Sequence, residues 1–502
     1  MSALESLRHG GQALMEEVSR EYYLAQSGHQ STADLQPIYA RHADIVGPES
    51  LAVARDALAA ATDDASRRSA RMLLEWQVES GAARLAAASE EREIAWESTA
   101  LVRVTEGRVV PYQRAAIEIA NSADRADRQA LDAARATLVE RDLAPLRQER
   151  LQTETAYVAS LALGDGYIPT FERLSGLDLT ALAADCRAFL RDTSAMWDDL
   201  LPRAARTVLG LAPGDLTRAD ALALFRAREY DRFFPAAQMD PSVRRQVGEM
   251  GIDADAAGRV RFDIGERDGK RARAFCAPVR VPEEVYLVLR PHGGQTDWST
   301  LLHELGHALH FAYTRPEFPF EYRWVGDNSV TESYAMLFDH LLQNRGWLLR
   351  YTGLGRGDVA GYLHTAALEE LHYLRRYSAK LLYEIELYGG AVPWSALPDR
   401  YVELLTGATT FRYRRADAFV DVDPRFYAAR YLRAWQLGAL LAESLVARFD
   451  VDWYRNPAAG PWIVEHLFQE GQRELADEVG RRVADRGLSF APVIAAVERL
   501  LD

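Results

Sequence analysis

The chain has 502 residues, of which 48% are apolar and 26% charged, a composition ordinary for a globular protein with a large core. Its net charge of -14 argues against a nucleic-acid partner, which requires a basic face to release phosphate counterions; it fits a solvated acidic surface or a mildly acidic cleft. No apolar run is long enough for a membrane span, the first ten residues lack the pattern of a secretion signal, and the two cysteines, Cys186 and Cys276, are far apart, so a cytoplasmic protein without disulfide framework, thiolate metal site or membrane contact is expected.

Ala, Leu, Arg and Glu recur with helical spacing from Leu51 to Ala88, from Ala115 to Leu163 and from Thr180 to Arg228. The fold class this predicts is predominantly all-α. Between Arg259 and Pro291 the pattern changes. Val260, Phe262 and Ile264 alternate as in a half-buried strand, Gly265 to Lys270 reads as a turn, and Val285 to Leu289 is a β-branched and aromatic strand. A small sheet here either braces the helix that follows or offers an edge to an extended peptide.

That helix carries His303-Glu304-Leu305-Gly306-His307. Side chains four apart on a helix lie one turn above each other, so the two imidazoles aim at one point with Glu304 beside them, the arrangement of half a zinc site. Leu301, Leu302, Leu305, Ala308, Leu309 and Ala312 form an apolar stripe around the pentad, and Thr296, Asp297 or Ser299 can cap its start. A buried helix bearing these groups without a metal would leave several polar atoms unpaired, at roughly 1 to 3 kcal/mol each. A metzincin would continue to a glycine and a third histidine where this chain has His310 and Tyr313. In a gluzincin the third ligand is a glutamate on a later helix. Glu332, 25 positions after His307, fits, because it begins the apolar run Ala335-Met336-Leu337-Phe338 that would hold it rigidly. Three protein ligands leave the fourth position of a tetrahedral zinc open, as catalysis requires. Asp339 lies seven residues on, on the same helical face, and is the candidate carboxylate behind a ligand histidine. His310, about one turn past His307, suits a substrate-facing or packing role better than ligation.

From Tyr362 the chain is helical again, interrupted by Gly389-Gly390 and by a polar loop from Thr409 to Arg425; Phe426 to Trp435 then reads as a helix start dense in aromatic and guanidinium groups. Gly293-Gly294-Gln295 is a turn before a helix, and Gly353-Leu354-Gly355-Arg356-Gly357 is a connector rather than a dinucleotide loop. His340, His364 and His372 sit in helical apolar segments and are expected to be core or surface histidines.

Three blocks resemble the thimet oligopeptidase and oligoendopeptidase F family of zinc peptidases, which are gluzincins, and more distantly angiotensin-converting enzyme. They are the pentad with Ala308-Leu309-His310, the gap to Glu332, and Asp263-Ile264-Gly265-Glu266-Arg267-Asp268-Gly269-Lys270 with Ala274-Phe275-Cys276. The resemblance covers Asp263 to Asp339. It implies a helical clam shell with a deep substrate channel, residues 1–240 forming one wall and residues 241–502 the zinc-binding catalytic half. It also implies one zinc ion per chain, held by His303, His307 and Glu332, with Glu304 as general base and short peptides as substrates. The family supplies further donors from a late loop. Here the family's histidine position falls at Asp421 and two tyrosine positions at Phe426 and Arg433, leaving Tyr431 and Tyr427 as the catalytic candidates and Arg430 and Arg433 as substrate-binding ones. The alternatives are a metallocarboxypeptidase of similar fold, in which Arg430 or Arg433 would clamp the terminal carboxylate, and an inactive helical peptide-binding protein.

Overall fold

The computed structural model describes residues 2–104, 107–271 and 274–502. Residues 272 and 273, inside the predicted β interval, lie outside this description. The fold is predominantly α-helical, and the long helical stretches of sequence divide where a capping residue stands. The stretch from Leu51 is two helices, Pro48–Ala60 and Asp64–Thr99, because Asp63 accepts from the Ser66 amide and the Ser66 hydroxyl returns to the Asp63 backbone. The next stretch restarts at Asp124, whose carboxylate accepts from Ala126 N and opens the helix Arg125–Leu138.

Three strands form the sheet beside the pentad helix, in the order Val260–Ile264, Glu284–Leu289, Phe275–Arg280. The central strand, Glu284–Leu289, runs parallel to the first, with Val260 opposite Val285, and antiparallel to the third, with Cys276 opposite Leu287. Alternation identified the first of these strands and β-branched and aromatic composition the central one, but neither signal marks Phe275–Arg280, which contains Pro278. Proline is tolerated there because the strand lies at the edge, and the register shifts between Pro278 and Arg280. The sheet is covered by the first helix, Ala3–Gln26, whose Tyr23 stacks on Tyr286 with ring centroids 3.9 Å apart.

One buried apolar cluster extends from Leu7 to Leu500, and residues on both sides of position 240 contribute to it. Ion pairs cross the same point: Arg8 with Glu321 at 2.6 Å, Arg20 with Glu284 at 2.8 Å, and Glu75 with Arg430. Among the described residues no helix is long and apolar enough to cross a membrane.

Candidate metal centre

The pentad lies on the helix Gln295–Tyr313, which begins one residue after Gly294. None of the three expected capping side chains stands at the cap position; instead Asp297 reaches back from the first turn and accepts from the amides of His292 and Gly293. Glu332 lies on a second helix, Asn328–Asp339, capped by Asp327. Gly306 lets these helices meet. A methyl group built on it would stand 2.6 Å from Ala335 Cα and 2.7 Å from Tyr334 O, so only glycine permits this separation.

The close approach brings three ligand atoms of His303, His307 and Glu332 within 4.8 Å of one another. Nε2 of His303 and Nε2 of His307 lie 3.3 and 3.5 Å from Glu332 Oε2. The outer nitrogens are engaged: His303 Nδ1 bonds Asp339 Oδ2 at 2.8 Å, and His307 Nδ1 bonds Thr331 Oγ1 at 2.9 Å. With Nδ1 donating to Asp339, the inner nitrogen of His303 is left as an acceptor, and the buried Glu332 Oε2 has no hydrogen-bond donor among the described residues. Acceptors turned toward one point repel unless a cation lies between them. Tetrahedral ligands at zinc bonding distance stand about 3.3 Å apart, so the residues fit a divalent ion.

A proton on His303 and a cation at the centre compete for the same place. Burial opposes the charged form of both groups, yet His307 and His303 hold the Glu332 carboxyl far below its usual range, and Asp339 and Glu332 raise His303 well above an ordinary histidine. Tyr427, in the first turn of the helix Tyr427–Phe449, donates its hydroxyl to Glu332 Oε1 at 2.7 Å, and burial together with that carboxylate keeps the phenol protonated. Glu304 faces the cleft beside His303, and burial and the Glu304 charge push the Cys276 thiol well above its ordinary pKa.

The cleft beside the centre, about 290 Å³, is walled on its far side by the helix Val359–Gly389, which contributes Glu369, Glu370, Tyr373 and Tyr377. Positions 369, 373 and 377 share one helical face, a period that could have identified this wall in the sequence. Tyr431 lines the cleft between Tyr427 and Tyr377, its ring 5.1 and 5.2 Å from theirs. Among the described lining residues there is no lysine or arginine.

Three expected substrate-binding residues stand elsewhere, and so does Asp421, at the position of the family's histidine. Arg430 is buried and ion-paired with Glu75 and with Asp327 at 3.5 Å, and Arg433 is paired with Asp477, so each guanidinium is committed to a fold contact. His310 is fully buried against Tyr334 and Phe468, and its pKa is lowered to about 3 by burial, so it packs the core rather than facing substrate. Asp421 is spent on Arg376 and on the Tyr401 hydroxyl at 2.7 Å. His340 does reach the cleft, where it stands 3.3 Å from Glu370, whereas His372 is buried against Phe225.

No protein-family model matches the chain. Over 86 residues it is 31% identical to oligopeptidase PepF of Bacillus subtilis (strain 168), a match spanning 16% of this chain and 13% of that protein. The fold resembles the M32 carboxypeptidase of Deinococcus radiodurans R1, with a TM-score of 0.61, 16% identity and complete coverage of both chains. It is equally similar to metallocarboxypeptidase 1 of Trypanosoma cruzi, with a TM-score of 0.61, 14% identity and 99% of each chain covered. The carboxypeptidase of Pyrococcus furiosus gives 0.60 at 12% identity, with 100% and 99% covered. At these identities the likeness establishes the fold alone.

Proposed function

We propose that the protein is a zinc-dependent metallopeptidase that hydrolyses peptide bonds in short oligopeptides. The convergence of His303 Nε2, His307 Nε2 and the unpartnered Glu332 Oε2 carries this reading. The names of the structural neighbours and of the short PepF match support it. Zinc bound there would polarise the scissile carbonyl and make a water acidic.

The chain's own residues supply the rest. Glu304 accepts the proton of the attacking water and passes it to the leaving amine nitrogen, which needs a carboxylate next to the ligand histidine and open to the cleft. Asp339 fixes His303 with its inner nitrogen free, and Thr331 does the same for His307. Tyr427 orients the glutamate ligand, and Tyr431, which lines the cleft, would donate to the developing oxyanion. In this reading residues 1–240 would form one wall of the longer substrate channel, while the described cleft beside the centre is lined from residues 241–502.

A carboxypeptidase reading is supported by the neighbours' names. Against it stand the engaged Arg430 and Arg433 and a cleft lining without lysine or arginine among the described residues. Metal analysis joined to a peptide-library digest of the wild type and Glu304→Gln tests the proposal. It requires about one zinc per chain in both proteins and cleavage only in the wild type; equal cleavage by both would refute it.

A further inference from the structure

Behind the cleft wall lies a second, larger cavity of about 600 Å³, within the size range of small-molecule sites. It is half open to solvent and bordered by the helix Asn328–Asp339 with its following turn, by the helix Tyr427–Phe449, by Trp453 and by the C-terminal helix Ala491–Leu501. Leu337, Leu341, Leu363, Ala439, Trp453 and Val497 give it apolar walls. Val446 and Val451 stand in the same lining with 39% and 65% exposure. His340, Gln343, Glu370 and Trp435 line both this cavity and the cleft, so they form the partition between the two.

The charges in the lining are asymmetric. Both carboxylates are engaged: Glu370 accepts from Trp435 Nε1 at 2.7 Å and Gln343 Nε2 at 3.2 Å, and Glu443 pairs with Arg486 at 2.5 Å. The two cations, Arg345 and Arg499, are exposed and make no ion pair or side-chain hydrogen bond among the described residues. An apolar chamber with two uncommitted guanidinium groups matches an aliphatic body that ends in an anion. A neutral hydrophobe would leave the arginines unused, and a compact anion would leave the apolar walls wet.

We propose that this cavity binds an amphipathic anion, a free aliphatic carboxylic acid whose chain lies against Leu337, Ala439 and Val497 and whose carboxylate is held by Arg345 and Arg499. The site is independent of the metal centre and of the peptidase reading.

Calorimetric titration of the full chain with hexanoate, octanoate, decanoate and decanol tests it, with Trp435 and Trp453 fluorescence as a second readout. Saturable binding is expected at one site, tightening about fourfold per methylene from hexanoate to decanoate, with decanol at least about tenfold weaker than decanoate. Arg345→Gln with Arg499→Gln should reduce decanoate to the affinity of decanol. Ala439→Trp should abolish binding of both, and Glu304→Gln should leave it unchanged. Circular dichroism establishes that each variant is folded; because both arginines are exposed and unpaired, their replacement does not depend on the core tolerating a change. Equal binding of decanoate and decanol, decanoate affinity unaffected by the double arginine substitution, or absence of saturable binding would each overturn the proposal. So would tight binding of a leucine-rich peptide by its free C-terminus where decanoate fails.

Discussion

The hydroxyl of Tyr427 donates to Oε1 of Glu332 at 2.7 Å, leaving Oε2 turned toward the two inner imidazole nitrogens. One oxygen of the carboxylate is thus held by the fold and the other kept for a metal. Tyr427→Phe should weaken zinc binding about tenfold without unfolding the chain. Chelator competition reads this; unchanged affinity would mean that the packed helix alone orients Glu332.

Asp339 acts on the other side of the centre, through His303 Nδ1 at 2.8 Å. Asp339→Asn keeps the shape but removes the charge that stabilises the donating tautomer, and should cost about 10- to 100-fold in metal affinity. Metal content after dialysis at fixed free zinc is the measurement.

Replacing Glu304 by Gln removes the proton acceptor and no ligand. Peptide cleavage should fall by about 10²- to 10⁴-fold with zinc content retained. Loss of the zinc together with the activity would assign Glu304 to the ligand set instead.

Gly306→Ala should be disproportionately harmful for one methyl group. Its Cβ would meet the backbone at Ala335 and Tyr334, which cannot swing aside, so the pentad helix and the Glu332 helix must separate. A loss of about 2 to 3 kcal/mol in denaturant unfolding, with weakened zinc binding in the fraction that folds, is expected.

Glu369 faces the cleft, and burial and the neighbouring Glu370 push it up to about 8. A carboxyl whose folded pKa lies above its unfolded value near 4.5 contributes stability that is complete below about pH 4.5 and is lost as pH rises through 8. Glu369→Gln should therefore match wild-type stability at pH 4 and exceed it at pH 9 by about 1 to 2 kcal/mol, after a discount for screening in the open cleft. Parallel urea titrations at the two pH values decide it.

The substrate's carboxyl terminus separates the two peptidase readings. With Arg430 and Arg433 committed to Glu75 and Asp477 and no lysine or arginine among the described residues of the cleft lining, amidating a good peptide substrate should change kcat/KM by less than about threefold. Abolished cleavage would instead select the carboxypeptidase reading.

Near neighbours along the chain set the helical class, one alternating and one β-branched strand, and a pentad whose imidazoles share a face because a helix turns every 3.6 residues. The position of Glu332 was legible too, as the glutamate leading into the apolar run Ala335 to Phe338. Where the late aromatic and basic residues point was decided only by tertiary structure. Tyr427 and Arg430 are three apart on one helix, yet one reaches Glu332 and the other is captured by Glu75, 355 positions away in sequence. The closeness permitted by Gly306 and the apolar cavity behind Trp435 were likewise fixed by packing. The physical reason is that periodicity constrains which face a side chain occupies, whereas its partner is whatever the folded core brings to that face, and a charge settles on the counter-charge that offsets its desolvation.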